Sequence, residues 1–168
     1  HKFDLKNKIA VITGGAQGFG LDIAKKFLSS GAKVNLWDID KAQLNKAKKI
    51  VNNANLAINL VDVTNFKNVQ KVVGKLTKNS KIDILINSAG ITGPTTQLWK
   101  YKIKDWNKII EINLNGTFHC CKSIVPHMIK NKYGRIVNIA SVSGKDGNAN
   151  ASAYSCLLYT SPSPRDTA

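Results

Sequence analysis

Arginine and glutamate are almost missing from this chain. Of 25 basic residues only Arg135 and Arg165 are arginine, and Glu111 is the sole glutamate. The net charge of +15 is therefore a lysine charge, spread from Lys2 to Lys145. With abundant asparagine and no nucleic-acid-binding motif, that mixture reads as a solvated lysine surface of the kind an AT-rich coding bias produces, not as a binding stripe, and nucleic acid is not an expected partner. No apolar run reaches the roughly 18–20 residues that cross a bilayer, so no membrane partner is expected. The opening His1-Lys2-Phe3-Asp4 has neither an initiator Met nor a signal-type apolar stretch, and the cytoplasm is the default compartment. The three cysteines, Cys120, Cys121 and Cys156, make no C-x-x-C pair. Neighbouring Cys120 and Cys121 point apart on a helix and read as core thiols in a reducing compartment. His119 and His127 share a predicted helix without a carboxylate at ligand spacing, so no metal site is expected.

What is present suits one domain: 168 residues, 43% of them hydrophobic, enough to bury a core. The most informative stretch is Thr13-Gly14-Gly15-Ala16-Gln17-Gly18-Phe19-Gly20. A strand-like run, Lys8–Ile12, precedes it. Ile23, Ala24, Phe27 and Leu28 follow at helical spacing. Strand, glycine-rich turn and helix in that order put bare helix-start N–H groups where a phosphate can sit. The spacing Gly-x-x-x-Gly-x-Gly is a variant of the Gly-x-Gly-x-x-Gly dinucleotide turn.

A second strand runs from Lys33 to Trp37 and ends at Asp38, 18 residues after Gly20. Gly31 is the expected C-terminal cap of the helix before it. An acid at this distance accepts hydrogen bonds from both adenosine ribose hydroxyls and repels a 2′-phosphate. NAD is thus favoured over NADP, and no Arg or Lys at 15–17 or 39 argues otherwise. Asp40 is the better N-cap for a helix over 41–51. Asn55–Val61 is the third strand, followed by Asp62-Val63-Thr64. A third helix carries Phe66, Val69, Val72, Val73 and Leu76, with Thr64 or Asn65 as its cap. The fourth strand, Ile82–Ile86, ends in Asn87-Ser88-Ala89-Gly90. After a Gly/Pro/Thr-rich loop over 91–101, a long helix is expected from about Lys104 to Asn131. Trp106, Ile109, Ile110, Asn113, Thr117, Cys121, Val125 and Met128 would share its inner face, and Pro126 should kink or end it. A fifth strand, Arg135–Ala140, ends at Ser141. Alternating strands and helices imply an α/β fold with right-handed crossovers and a parallel sheet.

Together these residues resemble the short-chain dehydrogenase/reductase family, over Phe3 to Ser155. Thr13, Gly14, Gly18 and Gly20 match its cofactor turn, in which Gln17 and Phe19 also lie. Asp38 matches its NAD-selecting acid, and Asp62-Val63 the pair that contacts adenine. Asn87-Ser88-Ala89-Gly90 matches its N-N-A-G motif, with Ser88 for the second Asn and Asn87, Ala89 and Gly90 at the cofactor. Asn113, Ser141 and Tyr154 match three of its four catalytic positions, with the usual Ser–Tyr gap of 13. The resemblance implies a Rossmann-type doubly wound sheet of order 3-2-1-4-5. It also implies hydride transfer between NAD and an alcohol or ketone. Tyr154 would exchange the proton of the substrate oxygen, Ser141 would hydrogen-bond that oxygen, and Asn113 would help hold a relay water. Similar members reduce 3-oxoacyl-carrier-protein substrates or oxidise sugars and sugar acids; Asp38 leans against the former, whose enzymes usually take NADP. The small, polar segment Gly144–Ala151 is expected to line the approach to Ser141. Full-length relatives are often homo-tetramers or homo-dimers, joined through the long helix near Asn113 and the helix after Tyr154.

The family lowers its tyrosine pKa with a Lys four residues on, and that Lys also grips the nicotinamide ribose. Here the position holds Leu158. The ending Cys156–Ala168 contains two of the four prolines and one of the two arginines, and is expected to interrupt the helix at once. It resembles a translated sequencing-library adapter; a natural proline-rich tail is the alternative. Residues 1–155 are accordingly expected to form an NAD-binding domain lacking the C-terminal part of its fold, and 156–168 a non-native or disordered tail. The chain as written is expected to be inactive. The alternative reading is a non-catalytic NAD-binding protein.

Overall fold

The computed structural model describes residues 4–147 and 149–159, the last three by backbone alone. Five strands alternate with helices: β1 (Ile9–Thr13), α1 (Gly18–Ser29), β2 (Lys33–Asp38), α2 (Lys41–Val51), β3 (Leu56–Leu60), α3 (Phe66–Thr77), β4 (Ile84–Asn87), α4 (Ile103–Ile110), α5 (Gly116–Lys130), β5 (Arg135–Asn138), α6 (Ser143–Asp146) and α7 (Ser152–Tyr159). All pairings are parallel and the order is β3-β2-β1-β4-β5, as the alternation and the resemblance imply.

Alternate residues of each strand feed opposite cores. Ala10, Ile12, Val34, Leu36, Ile84 and Ile86 meet Ala24 and Leu28 of α1 and Leu44 and Ala47 of α2. Val11, Trp37 and Leu85 meet Val69, Val72 and Val73 of α3 and Cys120, Ile124 and Met128 of α5. A sheet covered on both faces needs near-continuous apolar strands, which is why β1 and β4 are buried along almost their whole length. The chain leaves β1 for one side and β4 for the other. The crevice that opens between their C-terminal ends is where ligands bind in such sheets.

Local chemistry explains the helix ends. Asp40 accepts from Gln43 N–H and caps α2; Asn65, not Thr64, accepts from Asn68 N–H and caps α3. Beyond α1, Gly31 N–H bonds Leu28 O and Ala32 N–H bonds Phe27 O, with Gly31 at φ 90°. That is the Schellman arrangement.

Three expectations need correcting. The long helix does run from Ile103 to Lys130, but the departure from α geometry lies at a π turn, Glu111–Asn115, and the helix continues through Pro126. Its deepest stripe in α5 is Gly116, Cys120, Ile124 and Met128, one residue earlier than the predicted Thr117–Cys121–Val125 line. Gly116 carries no hydrophobic signal, yet it makes the close approach: a Cβ there would lie 2.7 Å from Val63 Cγ2. Finally, α7 stays helical through Tyr159, so no interruption occurs at Cys156. Residues 160–168 of the predicted tail lie outside the described residues.

Burial, with a smaller contribution from adjacent Cys121, pushes the Cys120 thiol up from 9.0 to about 12. The unfolded chain ionises this thiol first. Its stabilising contribution is therefore complete below about pH 9 and is lost as pH rises toward about 12. Urea unfolding is expected to show about 1 kcal/mol less stability at pH 10 than at pH 8 from this group. That increment should vanish in Cys120→Ala.

Candidate functional site

A cleft of about 780 Å³ opens at the C-terminal ends of β1, β2, β4 and β5. Its floor begins at the glycine turn. No side chain caps α1, whose N-cap Gln17 is extended, so the first-turn N–H groups are left to the cleft side. Gly18 takes φ 53° with nothing within 4 Å of a built Cβ. Gly20 is required by contact: a Cβ there would lie 2.4 Å from Gly14 O. Gly14 backs onto β4, a Cβ being only 2.8 Å from Ala89 Cα.

Thr13 ties the two halves together. Its Oγ1 accepts from Ser88 N–H at 3.1 Å and Ala89 N–H at 3.0 Å. Thr13 is 1% exposed and lies behind the cleft lining, where it positions the loop after β4. Gly18 also lies off the lining, acting through its backbone turn. The other predicted cofactor residues, Gly14, Gln17, Phe19, Gly20, Asp38, Asp62, Val63, Asn87, Ala89 and Gly90, all border the cleft.

At the end of β2, Asp38 Oδ2 accepts from Ala16 N–H and Oδ1 from Asp40 N–H, both at 3.1 Å. The carboxylate is thus aimed by backbone, and each oxygen keeps lone-pair capacity. Asp62 Oδ1 accepts from Thr64 N–H and Thr64 Oγ1, while among the described residues Oδ2 has no protein donor. At the end of β4, Asn87 Nδ2 donates to Asn138 Oδ1 at 2.9 Å and to Cys121 Sγ at 3.4 Å. Its buried Oδ1 has no partner among the described residues. Burial raises the pKa of the Cys121 thiol, while its bond with Asn87 opposes the rise.

Asn113, Ser141 and Tyr154 line the same cleft. The amide of Asn113, set in the π turn, is spent on one residue: Oδ1 accepts from Ile91 N–H and Nδ2 donates to Ile91 O, both at 2.9 Å. It is a strut for the loop after β4, a partner the sequence demanded but did not name. Ser141 Oγ accepts from Ser143 N–H at 3.3 Å, leaving its own proton to donate. One expectation about the surroundings differs. Among the described residues Gly144–Ala151 is absent from the lining, and Asn148 lies outside them. The loop instead reaches that segment through Thr96 N–H to Asn150 O at 2.7 Å. Ile39, Leu114, Asn138 and Ile139 line the cleft without having been singled out. Their adjacency to Asp38, Asn113 and Ser141 was the only available cue.

The cleft lies on a doubly wound parallel sheet and brings Ser141 and Tyr154 together with the glycine turn. The sequence profile of the short chain dehydrogenases matches residues 8–156, and the chain belongs to that family. It is 41% identical over 153 residues to a 2-dehydro-3-deoxy-L-rhamnonate dehydrogenase (NAD(+)) of Sphingomonas sp. strain SKA58, covering 88% of this chain and 59% of that protein. It is 36% identical to the 3-oxoacyl-[acyl-carrier-protein] reductase FabG of Chlamydia pneumoniae, covering 89% and 61%. Among solved structures, an NAD+-bound xylitol dehydrogenase superposes with a TM-score of 0.89 at 30% identity, covering 94% of this chain and 62% of that one. The chain thus spans about three fifths of the length of the curated relatives it matches.

Replacing Thr13 by Val removes the acceptor of two backbone N–H groups at a buried junction. Urea unfolding is expected to show a loss of about 2–3 kcal/mol, with Thr13→Ser restoring most of it.

Proposed function

We propose that this chain is the NAD-binding part of an oxidoreductase that moves hydride between NAD and the carbon of an alcohol or ketone. The observation that carries the reading is continuity: one cleft joins the glycine turn and Asp38 to Asn113, Ser141 and Tyr154. The residues fit a dinucleotide. The uncapped start of α1 suits a pyrophosphate. The two lone-pair sites of Asp38 suit the paired ribose hydroxyls and disfavour a 2′-phosphate. The free Oδ2 of Asp62 suits the amino group of adenine. When bound, NAD supplies the hydride acceptor or donor.

The rest is the work of this chain's own side chains. Ser141, held from Ser143, donates its hydroxyl proton to the substrate oxygen and fixes its position. Tyr154 exchanges a proton with that same oxygen through its phenol. Asn113 keeps Ile91 against the cleft by its two bonds. A small alcohol or ketone is the substrate class, with 3-oxoacyl or sugar-acid substrates suggested by the named relatives. The domain assigned to this work is 1–155, and the homo-oligomeric full-length form and cytoplasmic location belong to the same proposal.

Leu158 favours a second reading, a non-catalytic NAD-binding protein. The backbone of α7 places position 158 one turn beyond Tyr154, and leucine brings no ammonium there. Independent reads of codons 150–170 separate the two: a lysine codon four residues after Tyr154 supports the enzyme, and a true stop after Ala168 the second reading.

Thermal unfolding with each cofactor tests the binding claim. NAD+ at about a hundred times its Kd is expected to stabilise the chain by about 2.7 kcal/mol. NADP+ should give no shift, and Asp38→Ala should erase the difference. Equal shifts from both cofactors in the wild type would sink the assignment. The purified 168-residue chain is expected to show no NAD+ reduction with any alcohol tested; absorbance growth at the NADH band would overturn that.

A further inference from the structure

His119 lies behind the cleft wall. It stands on α5, half-buried, with Nδ1 2.9 Å from Val63 O. A carbonyl only accepts, so Nδ1 carries the proton and donates. The ring is flanked by Phe66, at 5.3 Å between centroids, and by Phe118, at 6.0 Å. Val63 is a wall residue of the cleft, and so are Asp62 and Thr64 beside it.

The turn that carries these residues is held from three directions. Asp62 closes it from within through Thr64. Asn68 of α3 accepts from Asp62 N–H at 2.9 Å. The third hold comes from α5, where the Gly116 notch receives the Val63 side chain and His119 receives its carbonyl. Of the described side chains, His119 alone is hydrogen-bonded from α5 to this turn. Val63 N–H has no protein acceptor among the described residues, and Asp62 Oδ2 no donor. One donor and one acceptor, adjacent on a rigid turn, complement the ring nitrogen and amino group along one edge of adenine.

We propose that His119 is a positioning residue for adenine: its Nδ1–H fixes the Val63 peptide plane, so that Val63 N–H and the Asp62 carboxylate face the base together. This rests on the dinucleotide reading of the cleft. It predicts a base-specific effect, since tilting the Val63 peptide misdirects the pair that tells an amino group from a carbonyl.

The test is calorimetric titration of the full chain with ADP and with IDP, which differ at that position of the base. His119→Phe keeps a ring between Phe66 and Phe118 but removes the donor. His119→Asn keeps an N–H the same number of bonds from Cα. Wild type is expected to prefer ADP. His119→Phe should lose ADP affinity about five- to tenfold with IDP changed less than twofold, and His119→Asn should recover most of the preference. An unchanged ADP/IDP ratio in folded His119→Phe overturns the proposal, as does an equal loss for both nucleotides, which would mark general loosening. Should His119→Asn not fold, the ratio in His119→Phe decides alone. Absence of ADP binding by the wild type would instead sink the dinucleotide reading itself.

Discussion

The junction between the C-terminal ends of β1 and β4 governs this molecule. Two parallel strands that part to opposite faces leave polar backbone at the point where they diverge. Here a single hydroxyl, Thr13 Oγ1, takes up two of those N–H groups, from Ser88 and Ala89. Gly14 lies so close to Ala89 that no side chain fits between them. The glycine turn and the loop after β4 are thereby locked into one rim. Gly14 and Ala89, which both border the cleft, take their positions from that lock.

Around the rim, each chemically useful group is aimed by backbone and not by another charged side chain. Asp38 is oriented by two N–H groups, Asp62 by its own turn, Ser141 by Ser143 N–H, and Asn113 holds Ile91 at both its peptide ends. Hydrogen bonds of this kind cost little side-chain entropy, because the donors are already fixed by strands and helix starts. They also leave lone pairs and protons for a ligand. Among the described lysines, only Lys108 borders the cleft.

The comparison of pattern with fold is most instructive along the long helix. Apolar periodicity located Ile109 and Met128 correctly on its inner face, since both are buried. It mistook the line between them. Gly116 packs because it lacks a side chain, a property that hydrophobic periodicity cannot register. Pro126 was expected to break a helix that tertiary contacts carry through. The π turn at Glu111–Asn115 has no local signature, and it is what presents Asn113 to Ile91. In contrast, Asp40, Asn65 and Gly31 act through their nearest neighbours, and their roles follow from the residues themselves.

Short-range chemistry is what the amino-acid sequence determined by itself: the alternation that makes a doubly wound sheet, the caps, the glycine turn, Asp38 at a strand end, and Leu158 in place of an ammonium. These depend on residues a few positions apart and on side-chain type. Tertiary structure alone decided that Thr13 ties the rim together, that Asn113 spends its amide on Ile91, and that His119 turns toward Val63 O. The reason is geometric. Each of these side chains has several chemically adequate partners in principle, and only the packing of two sheet faces brings one of them within hydrogen-bonding distance.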